Sequence, residues 1–251
     1  MPFERPHLLR FVIYVCLYVA ATEFAVLFIT LPSDVTLIWP PAGVAYAVLV
    51  FHGARWWPVI PVSLAMTHVL VTPAPWAFVP FSLASNTAGT LLAVLWVARI
   101  AGKDTVTLRV ASGFVLLVGG ILSAVVSGII GIGGMVVAAM IPPQEFMPAL
   151  GKWISGDVFG IIAVTPFMLM VLRAIERRRL TDSDLSFAGR FEKALWVLAS
   201  AAGIYVIAEA SVASPAYALG LSFLPLAFLL WSALRFEPIF TAGATMAFAF
   251  I

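Results

Sequence analysis

WISGDVFGIIAVTP, Trp153 to Pro166, is the stretch on which the reading of this chain turns. It is apolar enough to enter a membrane, yet it carries an acid, Asp157, near its start. Gly156 and Gly160 stand four residues apart, the spacing that puts small residues on one helix face and lets a neighbouring helix approach closely. Asp157 lies directly beside that face. Pro166 removes a backbone hydrogen bond further along, so a bend is expected there.

The rest of the chain agrees with a membrane setting. Hydrophobic residues make up 63% of it and charged residues only 10%, with a mean hydropathy of +1.08. A soluble domain of this size has too little interior to hide that much apolar surface. The expected fold is an all-α polytopic membrane protein, a single membrane-embedded domain over residues 1–251. Its spans fall at Leu8 to Leu31, Leu37 to Phe51, Trp57 to Val71, Ala77 to Ile100, Gly113 to Val137, Trp153 to Ile175, Ala194 to Ala213 and Tyr217 to Leu234. A ninth opens at Ile239 and is cut short, so the bundle has eight complete transmembrane helices plus a truncated ninth. An output domain and a tenth span are expected beyond it.

Orientation follows from the basic residues, which resist translocation near span ends. With the N-terminus cytoplasmic, thirteen of the fourteen Lys and Arg fall inside and only Lys152 falls outside. The longest inner connection, Glu176 to Lys193, suits a topology anchor beside anionic lipid. The outer loop Ile141 to Lys152 is apolar enough to lie on the membrane surface or to cover a pocket.

The second and third spans are short, about 15 residues, and reach about 22 Å where the hydrocarbon core is about 30 Å. Trp39-Pro40-Pro41 offers a reason. Pro40 pushes Trp39 toward extended backbone and Pro41 suits a first helical turn, so irregular chain enters the membrane zone before the helix starts. A helix that simply begins at the interface, with Trp39 in the aromatic belt, fits equally well. In the fifth span Gly119, Ser123, Ser127 and Gly131 form one small-residue ridge and Gly120, Ala124 and Gly128 a second, which reads as helix packing. LVFHGARWWP and LLWSALRFEP are a weak internal echo, each an apolar helix closing on Arg, an aromatic residue, one more residue and Pro.

Polar side chains inside spans are costly and tend to face the bundle interior. At about 1.5 Å per residue from the outer ends, Asp157 and Glu209 lie about 6 Å in, His68 about 5 Å, Glu23 about 12 Å and Asn86 about 14 Å. A bundle that turns all five inward gathers them around one outward-open cavity, walled by Trp39 and Trp153. Asp157 and Glu209 would receive a cationic or hydroxyl-rich ligand, or pair with His68. The plainer alternative has His68 and Glu209 reaching interfacial water, while Asn86 and Glu23 bond neighbouring helices. Catalysis by the chain itself is disfavoured, since no second intramembrane aspartate, no H-E-x-x-H and no G-x-S-x-G is present. Cys16 and three scattered histidines make no metal signature, no cofactor is expected, and the net charge of +2 gives no nucleic-acid stripe.

IWPPAGVAYAVLVFHGARWWP (Ile38 to Pro58), SLASNTAGTLLA (Ser82 to Ala93), KWISGDVFGIIAVTPFML (Lys152 to Leu169) and LWSALRF (Leu230 to Phe236) together resemble the type-one membrane-associated sensor domain of bacteria. The similarity covers essentially the whole chain. It implies a sensory module of the cytoplasmic (inner) membrane, joined to a cytoplasmic histidine kinase, diguanylate cyclase or phosphodiesterase and working as a homodimer. Two-component or cyclic di-GMP signalling would follow, with membrane lipid and an external small ligand as the other partners. The positions it marks are Trp39, Pro40, Pro41, Gly43, Asn86, Trp153, Gly156, Asp157, Gly160 and Pro166. A transporter or substrate-binding membrane subunit is the alternative, on the buried acids, the proline-interrupted spans and the weak repeat.

Overall fold

A computed structural model describes residues 5–28, 38–102, 110–176, 187–214 and 220–250. Among these the secondary structure is helical throughout: α1 (Arg5–Phe28), α2 (Pro40–His52), α3 (Val59–Leu70), α4 (Val79–Ala101), α5 (Val110–Val137), α6 (Phe146–Glu176), α7 (Phe187–Ala213), α8 (Leu224–Arg235) and α9 (Pro238–Ala249). Five stretches are long and apolar enough to cross a membrane, within residues 7–27, 79–101, 112–137, 143–176 and 189–213, while α2, α8 and α9 are shorter apolar helices. The chain divides into two compact units, Met1–Leu169 and Met170–Ile251.

The first unit is built around α2. From Pro40 to Leu49 every residue of this helix is buried, which is the pattern of a helix apolar on all sides and enclosed by others. Its 13 residues reach only about 20 Å. Enclosure explains why that is tolerated, since the helix itself meets protein rather than lipid. Trp39 has φ −111° and ψ 83°, outside the helical region, and the helix begins at Pro40. The Trp39 N–H donates to the Gly156 carbonyl of α6 at 2.9 Å, so the irregular backbone is satisfied by a neighbouring helix. The residues before Ile38 in this connection lie outside the described ones.

Both small-residue ridges of α5 are buried. On one side Tyr46 donates its hydroxyl to the Leu116 carbonyl at 3.0 Å, close to Gly119. On the other, Gly128 and Gly131 receive Leu150, Trp153 and Ile154 of α6, and Gly120 receives Ile161. The fifth helix is thus held between its neighbours by backbone-level contacts.

Some boundaries differ from expectation. The outer segment Ile141 to Lys152 is a loop only at its start; a 3-10 turn at Pro143–Glu145 leads directly into α6 at Phe146. The seventh helix begins at Phe187, seven residues ahead of Ala194, which shortens the expected inner connection. Part of the expected eighth span, residues 215–219, lies outside the described residues, and α8 starts at Leu224. Pro166 is exposed and α6 continues past it to Glu176.

In the second unit Trp196 of α7 is the central side chain. Its indole N–H donates to the Phe228 carbonyl at 2.8 Å, and Phe236, Phe240 and Phe248 meet its ring edge-on. Arg235 closes the end of α8 on Glu192 of α7 with two bonds of 2.8 and 2.9 Å, and Lys193 pairs with Glu237 at 2.8 Å.

Candidate functional site

Gly160 and Gly43 make the contact that positions the site. A side-chain carbon at Gly160 would fall on the Trp39 carbonyl, and one at Gly43 would fall on the Gly160 carbonyl and against Val164. Neither neighbour is a flexible tip, so the approach of α2 to α6 requires glycine at both places. Thr165 extends the seam by donating its hydroxyl to the Gly43 carbonyl at 3.2 Å. The WPPAG and GDVFG stretches are therefore the two halves of one helix contact.

Asp157 sits beside this seam and is 5% exposed. Ser127 of α5 and Trp153, one helical turn earlier on α6, are its hydrogen-bonding neighbours. The Trp153 indole N–H also donates to the Ser127 hydroxyl at 3.1 Å, which ties the three side chains into one network. No ion pair to Asp157 is present among the described residues. An acid enclosed in apolar surroundings without a base is expensive to keep charged, and such groups mark working positions in membrane proteins.

Tyr18 of α1 completes the cluster. Its side chain is fully buried, next to the Trp39 ring and within the field of Asp157. Among the described residues its hydroxyl makes no well-formed hydrogen bond, the Trp39 side chain being its hydrogen-bonding neighbour. A buried hydroxyl left poorly paired costs up to about 1–3 kcal/mol, so its retention beside the acid asks for a reason.

The other expected residues divide into two groups. His68 donates its Nδ1–H to the Thr72 carbonyl at 3.0 Å and shares a 2.9 Å hydrogen bond between Nε2 and the Ser82 hydroxyl. Asn86, buried on α4, donates to the Ser82 carbonyl and the Ser85 hydroxyl, both at 3.2 Å. His68 and Asn86 thus both bond Ser82, but only the His68 bond ties α3 to α4, the Asn86 bonds staying within α4; His68 is not the partner of Asp157. Glu23 and Glu209 are both exposed. The expectation that Glu23 turns inward fails because α1 buries Tyr14, Tyr18, Thr22 and Ala25, and Glu23 lies about 100° round the helix from Thr22. Glu209 belongs to the second unit, on α7.

Sequence reasoning missed Tyr18 altogether and read Ser127 and Gly43 only as packing positions. A signal existed for the tyrosine: Tyr14, Tyr18 and Thr22 recur every fourth residue in an otherwise apolar span, a polar-tipped stripe on one face.

With this geometry in hand, the family assignment is direct. The MASE1 family model matches residues 8–251, and the chain belongs to that family, the membrane-associated sensor domain of histidine kinases and diguanylate cyclases. As such a domain it is sensory and not catalytic. No curated protein and no solved structure matches it.

Proposed function

From its place in this sensor family we propose that the chain is the signal-input part of a bacterial inner-membrane histidine kinase or diguanylate cyclase, with its N-terminus cytoplasmic and eight complete spans before the last helix. The signal enters from the outer half and is read at Asp157. The single observation carrying this is the position of that acid. It is buried with no basic partner among the described residues, next to a poorly paired tyrosine hydroxyl, at the glycine seam where α2 meets α6. Such a seam suits two discrete arrangements, because close backbone contacts either fit or separate and do not deform gradually. A small ligand with hydrogen-bond donors that binds one arrangement better shifts the population, and the difference in affinity sets how far.

The full-length protein tests the reading. Membranes containing it should show autophosphorylation from ATP or synthesis of cyclic di-GMP from GTP, and Asp157→Asn should change how that output responds to conditions. Solute uptake into vesicles by the full-length protein, with neither activity present, would contradict the sensor reading and favour the transporter one. Homodimerisation is part of the proposal, since outputs of this kind work in pairs; a monomeric active protein would refute that element.

A further inference from the structure

The two units contain the same corner, built with opposite charge. In the second, Glu192 and Trp196 stand one turn apart on α7, and the end of α8 brings up Arg235 and Phe236 before Pro238. Glu192 binds Arg235 bidentately and Trp196 meets Phe236 edge-on at 6.4 Å. In the first unit Arg10 and Tyr14 stand one turn apart on α1, and the turn after α2 brings up Arg55 and Trp56 before Pro58. Tyr14 meets Trp56 edge-on at 5.6 Å, as Trp196 meets Phe236. Arg10 even occupies the same place in α1 as Glu192 does in α7, the sixth residue of the helix.

Where the second unit has an acid and a base, the first has two bases. Two histidines are added to them. His52 stacks on Trp56 at 4.6 Å and shares a 2.7 Å hydrogen bond with the Tyr14 hydroxyl, and His7 lies 6.2 Å from the Trp56 ring. Arg10, Arg55 and His7 all act electrostatically on the His52 ring. Arg10 and Arg55 are exposed, and among the described residues neither has a carboxylate partner. The turn that presents Arg55 is fixed by Gly53, whose φ of +88° suits glycine. Basic groups gathered this way repel one another unless an anion lies between them. Around them Leu9, Val12, Ile13 and Trp57 are exposed apolar side chains of the kind that face acyl chains and the membrane interface.

We propose that the corner between Arg10 and Arg55 holds the phosphate of an anionic membrane lipid, filling the place that the Glu192 carboxylate fills at the matching corner of the second unit. The flanking apolar surface selects a lipid phosphate over a free one, because the acyl chains then lie along α1. This inference is independent of the reading of Asp157.

Native mass spectrometry of the full-length protein, released from membranes containing phosphatidylglycerol, tests it. The wild type should retain phosphatidylglycerol in preference to phosphatidylcholine. Arg10→Gln and Arg55→Gln should each lower retention roughly fivefold. Arg10→Glu recreates the ion pair of the second unit and should abolish retention while leaving thermal stability at or above that of the wild type. Arg99→Gln, at an exposed arginine in the last turn of α4, should change nothing. Equal loss with Arg99→Gln would overturn the proposal by showing surface charge alone at work. Undiminished retention in Arg10→Glu would overturn it too, and displacement of the lipid by millimolar inorganic phosphate would overturn the lipid assignment.

Discussion

Replacing Gly160 by alanine probes the seam directly. The added methyl group would meet the Trp39 carbonyl and the Pro40 ring nitrogen, and both are backbone of a helix start that has no slack. The two helices must part by about an ångström or more. Overpacking of this kind costs about 1–3 kcal/mol. Separation also lengthens the 2.9 Å bond from the Trp39 N–H to the Gly156 carbonyl, leaving a buried donor short of its partner at a further cost of about 1–3 kcal/mol. Against this stands a gain of up to about 1 kcal/mol from the better helix propensity of alanine. The net expectation is a loss of about 1–6 kcal/mol. Gly133→Ala supplies the reference, since nothing lies within 4 Å of a side-chain carbon there and only the propensity gain remains. Equilibrium unfolding in mixed micelles, followed by tryptophan fluorescence, compares the two. Equal midpoints would refute the account of the seam.

Trp153→Phe removes the indole bond to Ser127 and should destabilise by about 1 kcal/mol in the same assay, with Ser127→Ala giving a similar loss and the double variant less than the sum of the two, because they share that bond within the Asp157 network. Tyr18→Phe removes a hydroxyl that makes no well-formed hydrogen bond among the described residues, so without ligand it should change stability by less than about 1 kcal/mol, and a larger loss would show a well-made bond there. Reporters fused within residues 103–109 should read as cytoplasmic and those fused just after Ser214 as external; the reverse pattern would refute the proposed orientation.

Much of the fold could be read because membrane spans are written in composition, and the helix starts are written in proline. Trp39-Pro40-Pro41 marked a helix start at the prolines under both readings of that stretch, and the helix begins at Pro40, since proline constrains both itself and the residue before it. The ridges of α5 were equally legible, small residues at four-residue spacing having few other uses inside a membrane. Rotation about the helix axis was the part that could not be read. Along α1 the apolar side chains suit lipid and protein alike, so nothing in the hydropathy said whether Glu23 or Tyr18 faces inward. Depth places two residues at one level without placing them on one face. His68 and Asn86 show a second gap: their partners are Ser82, Ser85 and the Thr72 carbonyl, ordinary groups that carry no signal in the sequence. The length rule also met its limit in α2, whose enclosure by other helices removes the need for its own apolar length to match the bilayer.

The central claim is that Asp157 reads the signal at the α2–α6 seam. Its most direct test is the output of the full-length protein in membranes, measured for wild type and Asp157→Asn across conditions under which the wild-type output varies. Asparagine keeps the size and the hydrogen bonds to Ser127 and Trp153 but cannot carry the charge. The account predicts an output locked at one level, with expression and unfolding midpoint close to wild type. An Asp157→Asn protein whose output still follows the wild-type response would contradict it.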